Sequence, residues 1–434
     1  MKPEEQQLLK EFYQTLTDRP LEPEDKCYVP YLQKCGGEDP IADLATRIRW
    51  RESETVNLLT GQRGSGKSTE LRRLRQMLRN DECTVFLCDM KDYMNLTTPV
   101  EITDFLIAIM GALSEAVAAQ FDGSPAEKGY WERICGFLKS DITLTGFSIP
   151  ASGSELAISI KDNPDFKQRL QESLRYRAEK LIEEAHGFSR EVVEFVRKRT
   201  GDSNRKVVLM VDSFEQIRGV GVERSRGIQE SVENLFSGHA ASLQLPMLHV
   251  IYTVPPYIST LAPSLGRQFG DSIVQSLPSI HVRNKDQSQD MDGLEVMVEI
   301  VEQRFKEWHE VFSEAQIHRM ALDTGGDLRN FFRFIGGSLI KANATRDGRL
   351  PVENTVIDKV EDHLRREMLP LADDDKKWLK KIAESKDTCL ESTGNLADLA
   401  RYFDCSLVLN YRNGEDWYDI HPLLRKEICG EAKA

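Results

Sequence analysis

Apolar residues fall in two patterns along this chain: short unbroken runs, and runs spaced by three or four. The unbroken runs predict buried strands at Thr55-Val56-Asn57-Leu58-Leu59, Thr84-Val85-Phe86-Leu87-Cys88, Lys206 to Asp212 and Met247 to Thr253, with Ser279-Ile280-His281-Val282 as a fifth. Between them, Leu71, Leu74 and Leu78 mark one helical face, Pro99 to Ala119 reads as a long helix, and Asp165 to Arg199 as a charged helical stretch. Strands separated by helices predict a parallel α/β sheet. Asp141 to Ile149 and Glu155 to Ile160 alternate polar and apolar residues around Pro150-Ala151-Ser152-Gly153-Ser154, which predicts a β-hairpin. Lying between two core strands, it belongs to an insertion at about 122–200, either surface packing or an edge for a partner.

The flanks divide as well. Residues 1–50 form an N-terminal lead-in, helical from Glu5 to Leu16 and again after Asp39-Pro40. The α/β core is expected over 51–285. Residues 286–370 read as a helical lid, with Val296, Ile300, Val301, Phe305 and Trp308 on one face and Asp327 as a helix cap. Over 371–434 two short helices, Lys376 to Ala383 and Leu396 to Phe403, precede a hairpin whose strands meet at Asn413-Gly414. Helices followed by a hairpin predict a small winged-helix domain.

One stretch carries specific chemistry. Gly61-Gln62-Arg63-Gly64-Ser65-Gly66-Lys67-Ser68-Thr69 fits G-x-x-x-x-G-K-[ST], after a predicted strand and at the start of a predicted helix. Glycines let backbone N–H groups turn inward around a phosphate, and the helix N-terminus adds favourable field. Lys67 is placed for the β- and γ-phosphates and the Ser68 hydroxyl for Mg²⁺. Asp212, closing the third strand, is the second candidate metal ligand, and Glu215 the candidate base or orienter of an attacking water. Thr253, closing the next strand, is a candidate γ-phosphate sensor. Arg329, at the Gly325-Gly326-Asp327-Leu328-Arg329 helix start, is a candidate lid arginine. Arg267, in Pro263 to Gly270, is a candidate arginine finger for a neighbouring subunit, the alternative being a surface ion pair. Tyr28 and Val29 are candidates for packing on the base, the alternative being plain core contact. His421 reads as a packed histidine, because it has no metal-spaced partner.

Composition narrows the field. Hydrophobic residues make up 40% and charged residues 29%, as in a globular protein, and the net charge is -13, which argues against a dedicated nucleic-acid binder. The eight cysteines include no C-x-x-C pair and are expected as reduced, buried thiols. The N-terminus, Met1-Lys2-Pro3-Glu4-Glu5, lacks an apolar core, so no signal peptide and a cytoplasmic location are expected. The apolar stretch from Phe105 to Ala119 is broken by Ser114 and Glu115, so no bilayer-spanning segment is expected.

These motifs together resemble the additional-strand P-loop ATPases, near the origin-recognition branch of AAA+ and the STAND signalling ATPases. Gly61 to Ser68 is similar to their Walker A and Val208-Leu209-Met210-Val211-Asp212-Ser213-Phe214-Glu215 to their Walker B. Ser213 after the aspartate, with the acid three places on, is closer to the STAND and NACHT form than to the adjacent Asp-Glu of AAA+ motors. Thr253-Val254-Pro255-Pro256 is similar to sensor 1, Gly326-Asp327-Leu328-Arg329 to sensor 2, and the hairpin ending at His421-Pro422-Leu423 to the winged-helix tail of bacterial STAND-like ATPases. The resemblance covers about 28–428 without the predicted hairpin insertion. It implies a P-loop NTPase sheet ordered 5-1-4-3-2, ATP with Mg²⁺ as cofactors, slow hydrolysis, a homo-oligomer and, for the anti-phage members, a separately encoded effector. The alternative is a DNA-loading ATPase of the origin-recognition or transposition type. Its recognition helix, Asn395 to Phe403, holds one arginine against one aspartate, and the turn Arg412 to Asp416 is acidic on balance. A third reading is a nucleotide-holding scaffold with negligible turnover.

Overall fold

Five of the apolar runs were expected to be strands, and four of them are. In the computed structural model, which describes residues 2–17, 19–34, 39–121, 129–141, 150, 153–219, 222–258, 264–270, 274–345, 349–390, 396–413 and 415–430, they form β1 (Val56–Gly61), β2 (Thr84–Asp89), β3 (Val207–Asp212) and β4 (Leu248–Thr253). The fifth strand, β5 (Val274–Leu277), lies just ahead of the predicted position. Pro278 follows it and has no N–H to offer a ladder, so Ser279 to Val282 continues as buried coil. The sheet order is β2-β3-β4-β1-β5, the 5-1-4-3-2 order of a P-loop NTPase, and the β2–β3, β3–β4 and β4–β1 pairs run parallel.

The chain divides into two compact units. The first comprises Ile41–Thr60 and Arg73–Ser276 and holds the sheet. β1, β3 and β4 are buried at every position, as central strands covered on both faces are. The Ile102–Phe121 helix is long and apolar enough to cross a membrane, contrary to expectation, because Ser114 and Glu115 do not break it. Most of it, from Ile102 to Ser114, is instead buried, and the helix packs on β2 and the Ala178–Thr200 helix. Phe105 from this helix meets Phe214, Phe236 and Tyr252 with ring centroids 4.8–6.1 Å apart. Lys206 closes the Pro40–Trp50 helix by donating to the carbonyls of Ile48, Arg49 and Arg51.

The predicted hairpin is not formed by its second half. Glu155 to Ile160 lies in a helix, Gly153–Asp162, in which Leu156 and Ile160 are buried while Ile158 is 59% exposed. Apolar residues four apart share a helical face, and over so few residues that spacing also reads as alternation. The predicted first strand, 142–149, lies outside the described residues, as do Asn395 and Gly414.

The second unit comprises Met1–Pro40, Gly61–Arg72 and Leu277–Ala434. The Pro3–Thr15 helix packs on the Leu328–Ala344 helix, and Phe12 stacks on Phe305 at 4.7 Å. Residues 286–370, expected as a lid, contain helices Met291–Arg304, Glu314–Thr324, Leu328–Ala344 and Asn354–Glu367. Phe305 already lies past the end of the first of these, although it is buried as expected. Helices Asp373–Ser385 and Leu396–Asp404 then precede an antiparallel pair, β6 (Val408–Asn413) and β7 (Glu415–Ile420).

Candidate nucleotide-binding site

The glycine loop turns where its sequence demands. Gly64 and Gly66 have φ of +90° and +86°, which side chains on Cβ rarely allow, and Lys67 opens the Lys67–Asn80 helix. Lys67 is 5% exposed, and its Nζ donates to the carbonyls of Gly61 and Gln62 at 2.7 and 2.8 Å. The ammonium is thus held inside the loop it would share with phosphate. The Ser65 hydroxyl is buried without a hydrogen-bond partner among the described residues. A buried, unsatisfied donor beside positive-φ glycines and a helix N-terminus is a donor set that fits a phosphate chain. Arg63 is exposed, and Ser68 and Thr69 are half-buried. Thr69 Oγ1 accepts from the Leu21 N–H at 3.1 Å, which ties the N-terminal segment to the helix.

That segment supplies two tyrosines. Tyr28 donates its hydroxyl to Glu70 Oε1 at 3.1 Å, and Val29 is buried beside it in the chain. Tyr28 is therefore carried to the start of the loop's helix. Tyr31 was not predicted, yet its hydroxyl donates to the Ser65 carbonyl at 2.7 Å, a contact inside the loop itself. Its only sequence signal is its place two residues after Val29.

Residues 325–329 also reach the loop. Gly325 ends the Glu314–Thr324 helix with φ +63°, and Asp327 caps the next by accepting from the Asn330 N–H at 2.9 Å. A Cβ on Gly64 would stand 2.5 Å from Asp327 Oδ1 and 3.1 Å from the Arg329 Cβ. Asp327 and Arg329 thus both lie beside the glycine loop. Gln62, an unrestricted position of the motif, donates its side-chain amide to the Val408 carbonyl of β6 at 2.8 Å, and the Ser279 hydroxyl lies 3.4 Å from its Oε1. Tyr411, also on β6, donates to the Gly325 carbonyl at 2.9 Å.

The candidate carboxylates lie in the sheet unit. Asp212 is 3% exposed and its Oδ1 accepts from the Ser213 N–H at 2.7 Å. Ser213 has φ +68°, a left-handed turn that leads into the Phe214–Gln216 turn bearing half-buried Glu215. β2 pairs Asp89 with Asp212, so two acids close adjacent strands. Thr253 is fully buried, pairs with Leu59 of β1, and its hydroxyl has no hydrogen-bond partner among the described residues. Asp212 and Thr253 therefore share the C-terminal edge of the sheet, where ligands of open α/β folds bind. Arg267 lies apart from this edge in the sequence, exposed on the short Leu265–Gln268 helix.

Residues 50–216, which contain both the glycine loop and the Asp212–Glu215 turn, match the family described as an AAA domain. Among solved structures the chain is similar to a Walker-type ATPase of Pyrococcus abyssi at 15% identity, with 96% of this chain and 99% of that chain covered and a TM-score of 0.44. It is similar to the Aeropyrum pernix ORC2 protein, solved in ADPNP–ADP complexes, at 12% identity, 94% and 93% coverage and a TM-score of 0.42. Cdc6p from Pyrobaculum aerophilum is similar at 14% identity, 94% coverage of each chain and a TM-score of 0.40. No curated protein matches.

Proposed function

We propose that this chain is an ATP-operated switch, a slow ATPase whose nucleotide state sets the position of its lid and C-terminal domain. The observation that carries this reading is that the glycine loop is gripped from both later segments. Gln62 bonds the β6 carbonyl of Val408, and Asp327 and Arg329 press on Gly64. A phosphate chain on the loop competes for the space and donors those contacts use, so binding and lid position share one free energy. Residues 51–285 act as the ATPase core, 286–370 as the lid and 371–434 as a winged helix. Lys67, Ser65 and the loop N–H groups hold the phosphates, and Tyr28 and Val29 pack on adenine. Ser68 and Asp212 are the residues that would hold Mg²⁺, which supplies charge neutralisation to the phosphates when bound. Glu215 orients the attacking water, while Thr253 and Arg329 report the γ-phosphate. The switch controls assembly of copies or a partner effector, as in anti-phage defence.

The test compares wild type with Lys67→Ala, Glu215→Gln and Gln62→Ala. Lys67→Ala is expected to weaken ATP binding by about tenfold or more, the worth of one charge-assisted contact. Glu215→Gln is expected to retain binding and lose turnover. Gln62→Ala is expected to raise ATP affinity, since it releases a contact that competes with the bound state. A wild-type turnover no faster than that of Lys67→Ala would leave only a nucleotide-holding scaffold. Tight, salt-sensitive binding of duplex DNA by the full chain, stimulating turnover, would replace the switch with a DNA-loading ATPase.

A further inference from the structure

A cavity of about 530 Å³ opens within the unit that contains the lid and the C-terminal hairpin, at a place no motif marks. Its wall is unusually basic for a chain of net charge -13. Arg283, Arg319, Arg365, Arg425 and Lys426 line it, against only two carboxylates, Asp323 and Glu361. Leu322, Pro422 and Leu423 give it an apolar part. The volume lies in the range of small-molecule sites, roughly 300–1,000 Å³.

Three of the arginines are anchored by carboxylates in the wall or beside it. Arg319 donates to Asp358 and Glu361, Arg365 pairs with Asp362, and Arg425 with Asp419. Asp419 Oδ2 also takes Lys386 at 2.9 Å and Gln287 at 3.1 Å. Such anchoring fixes guanidinium planes while leaving N–H groups over, since each carries five donors. Arg365 Nε is buried with no hydrogen-bond partner among the described residues. Neither of the other two cations forms an ion pair among the described residues, although the Asp323 and Asp419 charges act on Arg283. Arg283 makes one long bond, 3.4 Å to the Gln287 carbonyl, and burial together with the Arg425 charge lowers its affinity for its own proton. Lys426 is exposed and forms no ion pair among the described residues. Two arginines crowded together in a half-buried wall, beside a lysine that forms no ion pair among the described residues, favour an anion.

We propose that this cavity binds a small phosphorylated molecule, a nucleotide or other phosphate ester, distinct from the triphosphate on the glycine loop. The phosphate would sit against Arg283, Arg365 and Lys426, and the remainder against Leu322 and Leu423. Because the wall is built from the Glu314–Thr324 and Asn354–Glu367 helices and the segment after β7, the ligand would fasten the tail to the lid and bias the switch. The site stands whether or not the glycine loop hydrolyses ATP.

The experiment uses the full-length Lys67→Ala chain, so that phosphate binding at the glycine loop is weakened. Inorganic pyrophosphate and AMP are titrated by calorimetry, and a short DNA duplex in parallel. One saturating equivalent of pyrophosphate or AMP is expected, and Arg283→Gln or Lys426→Gln should each weaken it by about tenfold. Saturation by both small ligands indicates recognition of phosphate itself, and saturation by AMP alone indicates a nucleoside requirement. Lys426 is exposed, so Lys426→Gln decides the matter even where Arg283→Gln fails to fold. Binding of neither small anion overturns the proposal. So does binding that Lys426→Gln leaves unchanged, or binding of the duplex alone.

Discussion

At the scale of single residues, burial decides which side chains work and at what pH. His421 is fully enclosed, accepts at Nδ1 from the Leu423 N–H at 3.3 Å, and has no partner at Nε2 among the described residues. Burial lowers its pKa from 6.5 to about 3, and burial with the nearby Lys206 charge lowers that of His249 to about 4. In the folded state both are therefore neutral over a range where the unfolded chain takes up protons. The unfolded state binds more protons below pH 6.5, so stability falls as pH drops through 6.5 and goes on falling until the folded values are reached. Between pH 6.5 and 5 each histidine costs ~2 kcal/mol. His421→Gln should remove one proton's worth of slope from the urea midpoint against pH across that window, whatever its effect on stability at pH 8. An unchanged slope would mean that the ring stays reachable by solvent. The sequence reading of His421 as a packed histidine agrees with its burial. The loop residues were equally legible, because the pattern names them and neighbouring glycines enforce their geometry. Tyr31 was not legible, nor was the partner that Gln62 takes. Gln62 meets Val408 across 346 residues, and no local pattern encodes a partner so distant.

At the scale of elements, the sheet unit is pinned by one buried ion pair. Lys167 Nζ lies 3.0 Å from Asp104 Oδ2, with the two side chains only 4% and 1% exposed. The same ammonium donates to Thr98 Oγ1 and the Pro99 carbonyl, at 3.0 and 2.8 Å. Asp104 in turn accepts from the Glu101 N–H and Gln171 Nε2, at 2.8 and 3.1 Å. The pair thus fastens the Pro164–Leu174 helix to the first turn of the Ile102–Phe121 helix. Lys167→Met should cost ~3–5 kcal/mol in urea unfolding, because it strands Asp104 as a buried carboxylate. Asp104→Asn added to Lys167→Met should recover part of that loss. If the double variant is no more stable than the single one, the packing of Lys167 rather than its charge holds the helix. Neither residue stood out in the sequence. A lysine within a charged helical run reads as a solvated face, and only the fold turns it inward. The same ambiguity of short runs misplaced β5 and read Leu156 and Ile160 as a strand, whereas longer elements such as Ile102–Phe121 and β3 were plain.

At the scale of the whole molecule, the remaining question is whether one chain suffices for turnover. A net charge of -13 makes copies repel at long range, so assembly needs specific contacts and should strengthen as salt screens that repulsion. Arg267 is exposed on the Leu265–Gln268 helix, where a second copy can reach it. If it serves a neighbour's nucleotide, Arg267→Ala and Lys67→Ala should each abolish turnover alone for different reasons. Lys67→Ala lacks a competent glycine loop but still offers the arginine, whereas Arg267→Ala keeps the loop and lacks the arginine. Mixing the two variants then creates interfaces in which an intact loop faces an intact arginine. Turnover should reappear on mixing, and its rate should rise more steeply than linearly with total protein concentration as copies associate. Full activity of Arg267→Ala by itself would assign that guanidinium to a surface ion pair. A silent mixture of two inactive variants would mean that no arginine passes between copies, and any switching would then have to be completed within one chain.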